Sequence, residues 1–174
     1  MTLAFVGLGS NLAHPRRQLA KAVRALARLP RTRLLAVSPS YVSAPLGTGG
    51  PQPDYVNAVA LVATALAPRA LLARLLALEH RQRRRRVPGV RNAPRTLDLD
   101  LLLFGRRRMR VRALAVPHPR MHERAFVLRP LADVAPRAVV PGQGSVRRLL
   151  HAVADQRIAR TRTHGLPRPR RLRA

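Results

Sequence analysis

A chain of 174 residues, 47% of them hydrophobic, suits one domain and has enough apolar material for a real core. It has no cysteine, which excludes a disulfide framework and thiolate metal sites, and no apolar window approaches the ~18 residues of a membrane span. Thirty-four Lys and Arg face seven Asp and Glu, formally +27, a field that attracts polyanions.

Residues 2–8 read as a short buried strand, with Gly9, Ser10 and Asn11 as a turn. Pro15 suits a first helical turn, and Leu19, Val23 and Leu26 follow at helical spacing. Residues 33–43 form a second strand ending at Pro45. A loop rich in Gly and Pro leads to a third strand over 56–66. Pro68 opens a second helix with the stripe Leu71, Leu72, Leu75, Leu76 and Leu78, and the basic run 81–86 extends or ends it. Beyond Pro88, Gly89 and Pro94 come a fourth strand over 97–104, a hairpin-like stretch over 105–116, and a loop over 117–125 rich in Pro, His and Arg. Short helices are expected over 124–134 and 145–154. The order β-α-β-β-α-β predicts an α+β sandwich of the ferredoxin-like, split βαβ kind, a mostly antiparallel sheet covered by helices. Residues 1–156 make the one domain, and 157–174 a basic, poorly ordered tail. The start lacks the basic region and apolar stretch of a secretory signal, so the cytoplasm is the expected location.

Acidic residues are rare here, and two of them, Asp98 and Asp100, stand two apart in a strand. Side chains alternate along a strand, so both carboxylates share one face while Leu97, Leu99 and Leu101 point into the core. Two carboxylates on one face repel each other. Either they are solvated acids on an open strand, or they hold a hard cation such as Mg²⁺, which takes one or two carboxylates plus substrate phosphates. No Gly-x-x-x-x-Gly-Lys-Ser/Thr occurs, and Gly7-x-Gly9 lacks the third glycine of a dinucleotide fingerprint. A nucleotide would have to be held by metal and arginine. Arg84, Arg86, Arg91 and Arg95 precede the carboxylates and Arg124 follows them.

The block Arg91-Asn-Ala-Pro-Arg-Thr-Leu-Asp98-Leu-Asp100-Leu-Leu resembles the signature of the 6-hydroxymethyl-7,8-dihydropterin pyrophosphokinases of folate biosynthesis. Further segments resemble that family in the same order over roughly residues 2–150. They are Gly7-Leu-Gly-Ser-Asn-Leu, Ser43-Ala-Pro-Leu-Gly, Gln52-Pro-Asp-Tyr-Val-Asn, Glu79 on the second helix, and Val116-Pro-His-Pro-Arg-Met-His-Glu-Arg-Ala-Phe. The resemblance implies a kinase-type transferase that moves a diphosphate from ATP to the pterin hydroxymethyl group, releasing AMP. It implies that Asp98 and Asp100 bind two Mg²⁺ ions, and that Arg84, Arg86 and Arg95 clamp phosphates, Arg84 and Arg95 as catalytic groups. Glu79, His118 and Arg124 fall with the ATP site. Ser43, Ala44, Pro45, Leu46, Tyr55, Asn57 and Phe126 fall with the pterin site, Phe126 stacking on the heterocycle and Asn57 hydrogen-bonding it. A monomer is expected, with no membrane partner and no nucleic acid as the main ligand.

Asn92 stands where some family members carry tryptophan, Pro119 where some carry tyrosine, and the loop holding Pro88 and Gly89 is about one residue longer. Repulsion among Arg81, Arg83, Arg84, Arg85, Arg86 and Arg91 predicts that this loop stays open until an anionic nucleotide draws it in. Two other readings remain at this level. A basic ferredoxin-like domain could bind RNA, yet the fourth strand presents Leu and Asp where stacking aromatics would be needed. A metal-dependent phosphohydrolase or nuclease could use the same two carboxylates.

Overall fold

The computed structural model describes residues 1–45, 51–82, 94–161 and 166. It is a mixed α and antiparallel β protein. Its elements are β1 (Thr2–Ser10), α1 (Pro15–Leu26), β2 (Thr32–Val37), β3 (Tyr41–Ser43), β4 (Tyr55–Thr64), α2 (Pro68–Arg81) and β5 (Asp98–Phe104). Next come β6 (Met109–Val111), β7 (Leu114–Val116), a 3-10 turn at Met121–Glu123, and α3 (Ala125–Val134). The chain finishes with β8 (Val139–Val140), β9 (Gly144–Ser145), α4 (Val146–His151) and β10 (Ile158–Arg160).

The main sheet has the order β10-β3-β4-β1-β5, with β2 also on β4, and every pairing in it is antiparallel. β4 lies inside the sheet, and every residue from Val56 to Thr64 is buried, which explains its apolar run from Ala58 to Ala63. β1 alternates instead. Ala4, Val6 and Leu8 pack against Leu19, Val23 and Leu26 of α1 and Leu71 and Leu75 of α2. The opposite face of the sheet packs on α3, whose Leu128 and Leu131 meet Val59 and Leu102. The sheet is thus sandwiched between helices, and the core splits into two clusters. Leu97, Leu99 and Leu101 are buried in the first of them, as the strand period predicts.

Three expectations need correction. The second strand does not run unbroken over 33–43 but divides into β2 and β3 around Ser38, Pro39 and Ser40. Pro39 has no N–H to give the ladder. Ser38 keeps the kinked chain on the sheet, its N–H donating to the Val59 carbonyl at 2.9 Å and its Oγ accepting from the Val59 N–H at 2.9 Å. Gly9 and Ser10, expected in a turn, continue β1. The supposed tail contributes a strand: β10 pairs with β3, Ile158 opposite Ser43 and Arg160 opposite Tyr41, and so supplies partners for an open strand edge. Leu166 packs against the α1–α2 cluster. The arginine-rich loop over 83–93, with Arg84 and Arg86, and Leu46 of the Gly-rich loop lie outside the described residues.

Candidate active site

A cavity of about 720 Å³ opens over β4, β1 and β5 and is lined from both α3 and α2. Its floor is set by register. Asn57 of β4, Gly9 of β1 and Asp98 of β5 lie opposite one another, and Val59, Gly7 and Asp100 form the next row. Glycine at position 9 keeps the floor open. A Cβ there would stand 3.5 Å from Asn57 Oδ1 and 3.8 Å from Asp98 Cβ, filling the gap between them. Asn57 is buried and donates from Nδ2 to Ser43 Oγ at 2.9 Å, which ties β4 to β3.

Asp98 and Asp100 both line the cavity, so the shared face read from their spacing is real. Arg95 Nη1 donates to Asp98 Oδ2 at 2.6 Å, with both side chains about one-fifth exposed. Its guanidinium carbon also lies 5.9 Å from the Tyr55 ring centre. Burial would lower the Arg95 pKa, but Asp98, Tyr55 and Asp100 outweigh it and hold the guanidinium above its ordinary range. Glu79, 2% exposed on α2, accepts from the Leu99 N–H at 2.7 Å. It therefore grips β5 between the two aspartates.

The opposite wall comes from the segment after β7 and the start of α3. His118 hangs from Leu102 through its backbone N–H at 2.8 Å, and its Nδ1 accepts from the Arg120 N–H at 3.3 Å. Burial first, then the charge of Arg124, pushes its pKa down to about 4, so the ring is neutral near pH 7. The accepting Nδ1 places the ring hydrogen on Nε2. Arg124 lies over the Phe126 ring at 5.5 Å, and burial, with Arg120 next, lowers its pKa without discharging it.

Of the residues expected in the site, Ser43, Ala44, Tyr55, Asn57, Glu79, Arg95, Asp98, Asp100, His118, Arg124 and Phe126 all line this one cavity. Pro45 is described but does not line it. Leu72 and Leu76 of α2 and Arg110 of β6 also line it and were not anticipated. The leucines read only as core stripe, and one arginine among so many carries no signal.

Asn11 was also missed, having been taken for part of a turn. It is 3% exposed, and its Nδ2 donates to Pro53 O at 3.1 Å and Gln52 Oε1 at 3.3 Å. Its Oδ1 accepts from the Arg95 N–H at 2.8 Å, and its own N–H donates to Arg95 O at 3.1 Å. This side chain clasps together the roots of two loops that flank the cavity.

Carboxylates, guanidinium groups, a neutral imidazole and two aromatic rings thus surround one cleft of this mixed α and antiparallel β protein. Residues 5–136 match the family described as 7,8-dihydro-6-hydroxymethylpterin-pyrophosphokinase (HPPK), and the chain belongs to that family. Over 156 residues it is 51% identical to the 2-amino-4-hydroxy-6-hydroxymethyldihydropteridine pyrophosphokinase of Pseudomonas aeruginosa, covering 90% of this chain and 94% of that one. The Haemophilus influenzae protein of the same name is 42% identical over 158 residues, covering 91% and 97%. Among solved structures, an HPPK-DHPS in complex with substrates superimposes with a TM-score of 0.71 at 11% identity, a likeness of fold alone. That match covers 88% of this chain and 43% of the other, so this chain spans less than half of that longer protein. Among the described residues, no helix is long and apolar enough to cross a membrane.

Proposed function

We propose that this chain transfers a diphosphate from ATP to the hydroxymethyl oxygen of 6-hydroxymethyl-7,8-dihydropterin, releasing AMP, within folate biosynthesis. The observation that carries the reading is the cavity floor. Two carboxylates and a buried amide face one space between cationic and aromatic walls, in a chain whose family is pyrophosphokinase.

The pterin lies toward Ser43, Ala44, Tyr55, Asn57 and Phe126, the flat ring against Phe126 and its edge on Asn57. The triphosphate lies toward Arg95, His118 and Arg124, with Arg84 and Arg86 assigned to it by resemblance and Glu79 bordering it. Neutral His118 donates from Nε2 to a phosphate oxygen without adding charge. Arg95 and Arg124 neutralise charge that develops on the transferred group. The substrate hydroxyl forms a new O–P bond at the β-phosphorus and its proton passes to solvent. The bond from that phosphorus to the α,β-bridging oxygen breaks, and AMP leaves with the bond's electrons.

Asp98 and Asp100 fit magnesium. Both are hard oxygen donors, and no cluster of three His, Cys, Asp or Glu completes a protein cage among the described residues. The other ligands fall to phosphate and water, the arrangement Mg²⁺ favours. When bound, two such ions would supply charge neutralisation across the phosphates.

The same proposal extends to the architecture and setting. The spatial order β3-β4-β1-β5, with α1 and α2 on one face, supports a ferredoxin-like sandwich. The catalytic domain is residues 1–156, the basic remainder 157–174 adds β10 at its edge, and the protein acts as a cytoplasmic monomer. The test is AMP release from ATP that requires both Mg²⁺ and 6-hydroxymethyl-7,8-dihydropterin. Release without the pterin would favour a hydrolase and overturn the reading.

A further inference from the structure

A second cavity, of about 470 Å³, adjoins the first and shares Arg110, Ala115, His118 and Pro119 with it as a common wall. It adds Arg108, His122 and the β8–β9 turn. All seven acidic residues of the chain lie among the described residues, and none lines this cavity. The neighbouring carboxylate is Glu123, whose Oε1 stands 3.5 Å from His122 Nε2.

Arg108 is seated there. Gly142, in the β8–β9 turn, has φ +81, and a Cβ on it would meet Arg108 Cζ at 3.0 Å and two guanidinium nitrogens at 3.1 and 3.2 Å. The guanidinium therefore lies against bare backbone, and any other residue at 142 would push it away. An arginine in an exposed connection otherwise keeps its rotamer freedom, which a ligand would have to quench. Here part of that ordering is already done.

We propose that this second cavity is an anion site for a phosphate-bearing ligand, with Arg108 as its seated fork and Arg110 shared with the catalytic cavity. The planar guanidinium matches phosphate oxygens two at a time. The phosphate can come from a free anion or from a mononucleotide. Either occupant touches the wall used by the catalytic cavity, so filling one cavity changes the affinity of the other, and the change is reciprocal.

The test is calorimetry on the full chain at fixed ionic strength. The catalytic cavity is first saturated with Mg²⁺ and a non-hydrolysable ATP analogue. Inorganic phosphate, pyrophosphate and AMP are then titrated in separate arms. One further equivalent is expected in at least one arm; pyrophosphate or phosphate identifies a free anion as the source, and AMP a nucleotide. Arg108→Ala should weaken that equivalent by about tenfold, the loss of one charged hydrogen-bonding partner. Arg106→Ala, in the same exposed β5–β6 connection but outside the cavity lining, should leave it nearly unchanged. Arg108→Lys keeps the charge without the fork and carries the comparison if the alanine variant unfolds early. The same comparison on the chain without analogue separates failure of this site from failure of the proposed catalytic reading. No further equivalent in any arm, or equal weakening by Arg108→Ala and Arg106→Ala, overturns the proposal.

Discussion

Asp98 answers two demands. It pairs with Arg95 at 2.6 Å, yet it faces the space proposed for magnesium. Asp98→Ala and Asp100→Ala should each lower turnover by roughly a hundredfold or more, the scale of losing a group that supports transition-state charge. Asp98→Ala should also lower stability, by roughly 1 kcal/mol, because a half-buried Arg95 loses its carboxylate. Equal turnover in wild type and either variant would remove the metal assignment. Phe126→Ala should weaken pterin binding by ~1–3 kcal/mol while ATP affinity changes little; equal loss of both would make the ring structural. His118 gives a pH signature. Its pKa is pushed down to about 4 from the ordinary 6.5, so between those values the unfolded chain binds the extra proton and the folded one does not. Its contribution is therefore complete above pH 6.5 and lost as pH falls toward 4. In His118→Gln the unfolding free energy should fall less steeply across that window, and identical slopes would contradict the assignment. The aspartates were legible because period two dictates their common face. Asn11 was not, since three of its partners are main-chain atoms far away in sequence, and no side-chain pattern announces them.

At the scale of elements, the helices and the places of β1, β4 and β5 were legible because their signals are local: Pro15 and Pro68 at first turns, leucines at helical spacing, and apolar runs for the strands, whereas the two-residue strands β8 and β9 carry no such signal. The break between β2 and β3 was written in Ser38-Pro39-Ser40 but hidden by the apolar segments beyond it, Leu34 to Val37 and Tyr41-Val42. β10, with a single apolar side chain larger than alanine between Arg157 and Arg160, was hidden because it forms to satisfy the β3 edge and not to bury a face. β3 has another tie. Tyr41 Oη donates to Asp133 Oδ2 of α3 at 2.6 Å, and burial, then that bond, pushes the phenol pKa up to about 12. This tie holds β3, which carries Ser43, against α3, which carries Phe126. Tyr41→Phe should cost roughly 1.5–3 kcal/mol in denaturant unfolding, the range for a hydrogen bond to a charged group. It should raise the KM for pterin more than it changes kcat. An unchanged pterin KM would show the tie to be structural only.

At the scale of the molecule, the +27 charge favours encounter with polyphosphate from every side. The KM for ATP should therefore rise several-fold as ionic strength increases from about 0.05 to 0.5 M, where the screening length falls below ~5 Å. The pterin is uncharged, and its KM should stay flat; parallel rises would point to a general loss of activity. The Asn11 clasp bears on how such a molecule changes over generations. It holds the Pro53 and Arg95 positions largely through their peptide groups, which every amino acid except proline provides in full. Mutation can thus rewrite the side chains around those anchor points while the anchorage survives, whereas a change at position 11 releases both at once. The clasp concentrates the burden of inheritance on one asparagine and leaves the flanking segments free to be retuned.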